Sequence, residues 1–416
     1  MKLAAIIAEY NPFHNGHEYM IKKIKKELHA DYIVAVMSGD FTQRGIPGIA
    51  DKYARAKMAV SCGVDAVFEL PVRFATASAE GFATGAVSFF DALSCVDYLV
   101  FGSENGTLED FSEAISLLDN TPETFRDSIR MFQKQGHSYP KAFSMAVAAS
   151  GQTIKLSTSL LSSPNNLLGL EYMKALDAIG SSIRPYTILR TGTGYHDLHT
   201  TFSEDSDSMI ASASAIRNML GTSTGTIASA QPAMPETAYR IFADSYGIAT
   251  PILPDDFSLL LSYQLSRETK NTLTKYIDMS EDLADRILKS QDTYMTFTER
   301  IQAAKHKQYT YARINRALLH VLLGLRNNDV SATNHTPYAR LLAMKKTASP
   351  LMKKIKESSK IPVITKAADA KKLLSAEALS LFEEDIFAAN LYSGVVADKF
   401  HSAYLDDIRH GIIIVE

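Results

Sequence analysis

The stretch Ile6-Ile7-Ala8-Glu9-Tyr10-Asn11-Pro12-Phe13-His14-Asn15-Gly16-His17 decides the fold. Its opening residues end an apolar run, Leu3–Ala8, of the kind that a parallel strand buried on both faces requires. Asn11-Pro12 is a turn signal. His14 and His17 are three apart, so on a first helical turn their rings share one face. Gly16 between them carries no side chain and lets a ligand approach the backbone. Free N–H groups at a helix start attract phosphate. Strand, turn, helix start and paired histidines together predict a nucleotide site. A zinc site would need three or four ligands, and no cysteine stands nearby, so no metal-binding residue is assigned.

Working outward, the pattern repeats. Gly16–His29 reads as an amphipathic helix with Tyr19, Met20, Ile24 and Leu28 on its apolar stripe. Its lysines are mainly a solvated face, although Lys22 or Lys23 is early enough to reach a phosphate. Asp31–Met37 is a second strand, and Ser38–Gly45 is the polar loop at its end, where open α/β sheets hold ligands. In that loop Asp40 could hold a metal or a hydroxyl, and Arg44 a carboxylate or phosphate. Ala66–Leu70, Tyr98–Phe101 and Arg184–Leu189 are further strands, separated by helical patterns at Asp51–Cys62, Ser78–Asp91 and Ser163–Tyr172. The fold class predicted is α/β, with a parallel Rossmann-like sheet. Asn165 or Asn166 could read an adenine edge or a ribose, since amides both donate and accept. Ser212-Ala213-Ser214-Ala215-Ile216-Arg217 opens a helix with hydroxyls, free N–H groups and a cation, which suits phosphate.

Gly221–Ala233 reads as a boundary, dividing a catalytic domain at 1–225 from a mainly helical one at 226–416. Within the second, Ile314–Leu325 is the clearest helix, Leu341–Ala343 reads as helical, and Ile361–Ile364 and Gly411–Val415 read as short strands. The 416 residues carry a net charge of only -3, so the whole molecule does not advertise a polyanion partner. The charge is nevertheless uneven. From Ile301 to Lys372 there are 15 Lys or Arg and three acids, with clusters at Lys345-Lys346 and Lys353-Lys354-Ile355-Lys356. Such a patch can hold RNA through its phosphates, with Tyr309, Tyr311 or Tyr338 stacking on bases. Two cysteines, Cys62 and Cys95, are too few for a disulfide scaffold and read as buried thiols. No apolar run reaches about 18 residues and Glu9 follows the first strand at once, so neither a membrane span nor a signal peptide is expected. A cytoplasmic enzyme with no obligate protein partner is the expectation.

His14-Asn15-Gly16-His17 resembles the histidine-glycine-histidine signature of the nucleotidyltransferase superfamily, and Ser212–Arg217 its downstream serine-rich motif, with Ser214 where threonine is common. The closer resemblance is to the bacterial tRNA(Met) cytidine acetate ligases. It rests on Glu9–His17, Ser38–Gly45, Phe101-Gly102-Ser103-Glu104, Ser163–Tyr172 and Arg190 with Gly194-Tyr195-His196, and extends through Arg313–Leu325 and Ile361–Thr365. That resemblance implies ATP, with Mg²⁺, lying along Ile7 to His17 and on through Glu18, Tyr19 and Met20. Gly102, Asn165 and Arg190 are further implied contacts, with Ser214 and Arg217 from the serine motif. His14 and His17 would stabilise the transition state, Lys22 the triphosphate, and Asp40 the ion or the RNA amine. The implied reaction activates acetate as acetyladenylate and acetylates N4 of the wobble cytidine in elongator tRNA(Met). Assembly of a small nucleotide cofactor, or RNA binding without catalysis, are the alternatives.

Overall fold

The computed structural model describes residues 1–104, 107–119, 123–134, 163–189, 201–203, 206–221, 226–290, 292–327 and 335–416, with isolated positions from 142 to 149. Strands β1 (Leu3–Ala8), β2 (Tyr32–Ser38), β3 (Ala66–Leu70), β4 (Tyr98–Ser103) and β5 (Arg184–Leu189) run parallel, in the order β3-β2-β1-β4-β5. Alternate residues bury opposite faces, as a strand's period of two demands. Leu3, Ala5, Val34, Val36 and Phe68 join one core, which also receives the helix Ala79–Leu93. Ala4, Ile6, Ile33, Ala35 and Val67 join the other, with the helices Asn15–Lys23 and Lys52–Ser61. Asp51 caps the latter through its carboxylate, and Ser78 caps Ala79–Leu93. The expected helix Gly16–His29 is α-helical to Lys23 and continues as a π-helical turn at Ile24–Leu28. Cys62 and Cys95 are half-buried and free.

The sheet does not stop at the expected domain boundary. After a two-stranded hairpin, β6 (Thr201–Ser203) with β7 (Ser206–Ile210), the chain returns three strands from beyond residue 226. They are β8 (Ala339–Lys345), β9 (Val363–Ile364) and β10 (Ile413–Val415). β8 lies antiparallel on β3, pairing Ala66 with Met344, and β9 and β10 extend it. Residues 1–225 alone would leave the buried strand β3 as a bare edge, with its N–H and C=O groups unpaired. Leu341–Ala343, read above as helical, is therefore mid-strand. An apolar run buried on both faces looks the same in sequence whether it is helix or strand.

The rest of the C-terminal part is helical, as expected. Helices Ser258–Ser266, Phe297–Ala304 and Tyr311–Leu323 form a third core around Leu261, Ile301, Ile314 and Leu318. Phe41, from the loop after β2, enters that core and packs on Phe257 and Tyr392. Among the described residues no helix is long and apolar enough to cross a membrane.

A buried ionic network joins the two halves. Lys52 Nζ lies 2.8 Å from Glu69 and 3.0 Å from Asp407, with its side chain 1% exposed. Arg340 on β8 reaches the same two carboxylates at 3.1 and 2.8 Å. Tyr53 Oη donates to Asp407 at 2.9 Å.

Candidate active site

β1 and β4 are neighbours at the point where the order of parallel strands reverses, and a crevice opens outside their carboxyl ends. It forms a cavity of about 350 Å³. Ile7, Ala8, Glu9, Tyr10 and Asn11 are its floor, and His14, His17 and Met20 continue along the first helix. Gly102 and Asn165 line one wall, and Ser214 and Arg217 the other. Twelve of the expected site residues thus meet in one place.

The histidines are held by backbone. His14 is the N-cap of Asn15–Lys23, and its Nδ1 accepts the Gly16 N–H at 3.1 Å. His17 Nδ1 accepts the His14 N–H at 3.2 Å. This is a capping box built from two imidazoles. The rings stack with centroids 3.7 Å apart, and Phe13 and Tyr10 pack on His17. An Nδ1 that accepts a hydrogen bond carries no proton, so each neutral ring bears its proton on Nε2. Both rings line the cavity and are held there by these backbone contacts.

The cations are fixed too. Arg217 donates from Nη1 to the Asn11 carbonyl at 2.7 Å and from Nη2 to Ser214 Oγ at 3.0 Å. Burial lowers its guanidinium to about 10, and the Glu9 carboxylate works against that drop. Arg44 lines the rim and is likewise lowered by burial. Both remain charged at neutral pH. Glu9 is the one carboxylate among the lining residues, and its Oε1 accepts the Gln43 N–H at 2.9 Å. Two guanidiniums against one carboxylate leave the cavity positive, which suits a phosphate chain.

Other expected site residues are elsewhere. Phe13 is fully buried behind the histidines, Pro12 is buried, and Asn15 Nδ2 donates to the Pro232 carbonyl. Gly16 does not line the cavity; its N–H is spent on the His14 cap. Tyr19 lies under Lys23, 5.6 Å from ring centroid to Nζ. Glu18 pairs with Lys22 at 2.8 Å on the solvent side, where Lys22 is 71% exposed. An i, i+4 pair turned outward cannot serve a ligand in the cavity, so Lys22 is removed from the site. Asn166 is fully buried and holds the β4 end, accepting from Ser103 Oγ and the Glu104 N–H at 3.0 Å each. Arg190 and Gly194–His196 lie outside the described residues.

Asp40 is also corrected. It is buried away from the cavity, where its carboxylate accepts the Lys52 N–H at 2.7 Å and so helps to start the helix Lys52–Ser61. Burial pushes its carboxyl up to about 7, against the pull of Lys52 and Arg55. An unfolded aspartate ionises near 4, at about 3.9. The folded chain therefore keeps a proton that the unfolded chain loses, and this group's contribution to stability falls as pH rises from about 4 to about 7. Asp40→Asn keeps an acceptor for the Lys52 N–H and removes the titration. Urea unfolding at pH 5 and pH 8 should show a smaller loss of stability in the variant than in the wild type. Equal losses would show that Asp40 ionises normally.

Residues 1–406 match the family model described as HIGH Nucleotidyl Transferase. A tRNA(Met) cytidine acetate ligase of Lysinibacillus sphaericus is 35% identical over 405 residues, covering 97% of this chain and 98% of its own. One from Clostridium perfringens is 37% identical over 413 residues, covering 97% and 98%. The chain belongs to the tRNA(Met) cytidine acetate ligase family. Its fold matches that of Thermotoga maritima TmcAL bound with alpha-thio ATP, with a TM-score of 0.87 and 28% identity over 100% of both chains.

Within this member of the acetate ligase family, sequence reasoning missed several cavity residues. Gln43, Phe82, Leu168 and Tyr172 line it and were not singled out. Phe82 and Leu168 carry only apolar side chains, on helices that pack over the sheet, and nothing local distinguishes them from core. Arg44, expected above to meet a carboxylate or phosphate because it is a cation in a polar loop directly after a strand, does line the cavity.

Proposed function

We propose that this chain is an ATP-dependent acetate ligase that acetylates N4 of the wobble cytidine in elongator tRNA(Met), through acetyladenylate. The observation that carries the reading is the imidazole pair, held through Nδ1 in the lining of a cationic cavity at the strand ends. The whole-length likeness to the alpha-thio-ATP-bound Thermotoga maritima protein supports ATP as the occupant, and the names of the relatives support the RNA.

In the first step an acetate oxygen attacks the α-phosphorus, and the bond to the bridging oxygen of pyrophosphate breaks. Negative charge grows on the phosphoryl oxygens and the leaving group. His14 and His17 donate to that charge without exchanging protons, and Arg217 and Arg44 hold the pyrophosphate end. Because both histidines are already held by backbone and Arg217 by Asn11 and Ser214, little reorganisation of these three is needed as charge develops. Mg²⁺ would supply further charge neutralisation, and Glu9 is the lining carboxylate that would hold it or its waters. In the second step the cytidine N4 attacks the acetyl carbonyl, AMP leaves with the bonding pair, and the amine loses a proton. That amine is a poor nucleophile because its lone pair is shared with the ring, so a mixed anhydride is the appropriate donor. A wobble base is already single-stranded, so little pairing energy is lost when it is splayed out.

The test mixes protein, Mg²⁺-ATP and labelled acetate with and without bulk bacterial tRNA. Acetate-dependent ATP–pyrophosphate exchange without RNA, and label in RNA only when ATP is present, are expected. Exchange that ignores acetate, or tRNA that never takes label, would overturn the reading.

A further inference from the structure

Buried polar atoms that lack a hydrogen-bond partner fall into two groups among the described residues. One group lies in or beside the cavity: Tyr10 Oη, Ser38 Oγ, Glu104 Oε2, Ser163 Oγ and Thr187 Oγ1. The other lies wholly within residues 300–315: Arg300 Nε and Nη1, His306 Nδ1, Arg313 Nε and Asn315 Oδ1. Folded proteins rarely leave such groups unpaired, so a concentration of them marks a surface that something else completes.

The second group sits on the end of helix Phe297–Ala304, the connection 305–310 and the first turns of Tyr311–Leu323. Residues 300–328 contain six Lys or Arg and no Asp or Glu. Arg316 borrows Asp278 at 2.7 Å, and Arg326 lies 3.9 Å from Glu268. Among the described residues Arg300, Lys305 and Arg313 have no carboxylate within 4.0 Å, unlike Lys270, Arg286, Arg316 and Lys399, and Lys305 Nζ donates only to the backbone carbonyl of Tyr309. Arg300 is only 4% exposed, and its Nη2 donates to Ser262 Oγ at 3.2 Å and to the Thr293 carbonyl at 3.4 Å. The cations alternate with aromatic rings. Lys305 Nζ stands 4.5 Å from the centroid of Tyr311, which is 49% exposed, and the Arg313 guanidinium 5.2 Å from that of Tyr309.

This segment adjoins the cavity. Gly45 has φ +71 and packs on the helix so closely that a Cβ would stand 2.3 Å from Arg316 N and 2.5 Å from the Asn315 carbonyl carbon. Arg44, one residue earlier, lines the cavity rim. The denser lysine clusters lie at the other end of the sheet. Lys345 pairs with Asp65 just before β3, and the helix carrying Lys353, Lys354 and Lys356 ends with Ser358 Oγ donating to the Leu93 carbonyl, ahead of β4. A strand's length, about 20 Å, separates that edge from the cavity. Tyr338, also a stacking candidate, is fully buried and donates to Asp385.

We propose that residues 300–316 are the RNA-contacting face of this protein. Arg313 and Lys305 take loop phosphates, Tyr311 offers its exposed ring to a base, and the neighbouring nucleotide enters the cavity past Arg44. The proposal rests on RNA being the acetyl acceptor. Unpaired cations are the groups that exchange condensed counterions for phosphates, and exposed tyrosine beside a cation is a stacking platform for single-stranded bases.

The test compares Arg313→Gln combined with Tyr311→Ala against the combined Lys353→Gln, Lys354→Gln and Lys356→Gln protein, using bulk bacterial tRNA as probe. The first pair should lower kcat/KM for tRNA roughly 10- to 100-fold and flatten the slope of log affinity against log salt by about one. Acetate-dependent ATP–pyrophosphate exchange should stay within about twofold, and the lysine variant should match wild type in both assays within the same margin. Unchanged tRNA use by the first pair, equal loss of exchange and transfer, or loss in the lysine variant would each overturn the proposal. Wild-type protein that binds tRNA through Arg313 and transfers no acetyl would sink the reaction and keep the surface.

Discussion

His14→Asn should lower acetate-dependent ATP–pyrophosphate exchange by roughly 10²–10³-fold while the protein stays folded. An asparagine oxygen can replace Nδ1 as the acceptor of the Gly16 N–H, so the helix keeps its cap. What the shorter side chain loses is the Nε2–H donor. His14→Ala removes both, and should add a stability loss of about 1 kcal/mol to the same rate defect. Because the donor acts on charge that grows only in the transition state, kcat should fall far more than KM for ATP rises. Exchange by the asparagine variant within about threefold of wild type would reduce His14 to a helix cap.

Lys52→Met should be the most destabilising of the substitutions considered. It leaves Glu69 and Asp407 facing Arg340 alone, in a site where all the side chains are at most 4% exposed. Stranding one buried charge costs about 3–5 kcal/mol, a large share of a typical folding free energy. The urea midpoint should fall with little change in slope. Adding Glu69→Gln removes the stranded carboxylate and should recover part of the loss. The network has a pH signature as well. Lys52 and Arg340 outweigh burial at Asp407 and hold its carboxyl well below the ordinary carboxylate range. Its stabilisation is therefore full above the unfolded value of about 3.9 and is lost only as pH falls below it. A midpoint shift in Lys52→Met equivalent to less than about 1 kcal/mol would mean that the network contributes no net stability.

How far the site was legible depends on whether its signal is local. Glu9, Asn11, His14 and His17 lie within nine residues of one another, and strand, turn and helix start follow from the types and spacing there. Ser212 and Arg217 were legible for the same reason: Ser212 Oγ caps its helix, accepting the Ala215 N–H at 3.2 Å. Asp40 and Lys22 had the right types in the right neighbourhood but face elsewhere. A rotation of about 100° per residue along a helix, or one turn of a loop, separates a ligand contact from a solvent or structural one. For the basic region, composition counts the lysines without saying at which end of the sheet each stands: Lys345 and the helix carrying Lys353, Lys354 and Lys356 lie at the end away from the cavity.

The sequence by itself determined the β1–helix junction, the five parallel strands and the type of chemistry, because each is encoded by residues close together along the chain. Only the tertiary structure decided that β8 closes the edge of β3, that Lys52 meets Asp407, and that Gly45 seats the cavity rim against Asn315 and Arg316. Those pairings join residues hundreds of positions apart, and they are selected by shared burial, which no local spacing records.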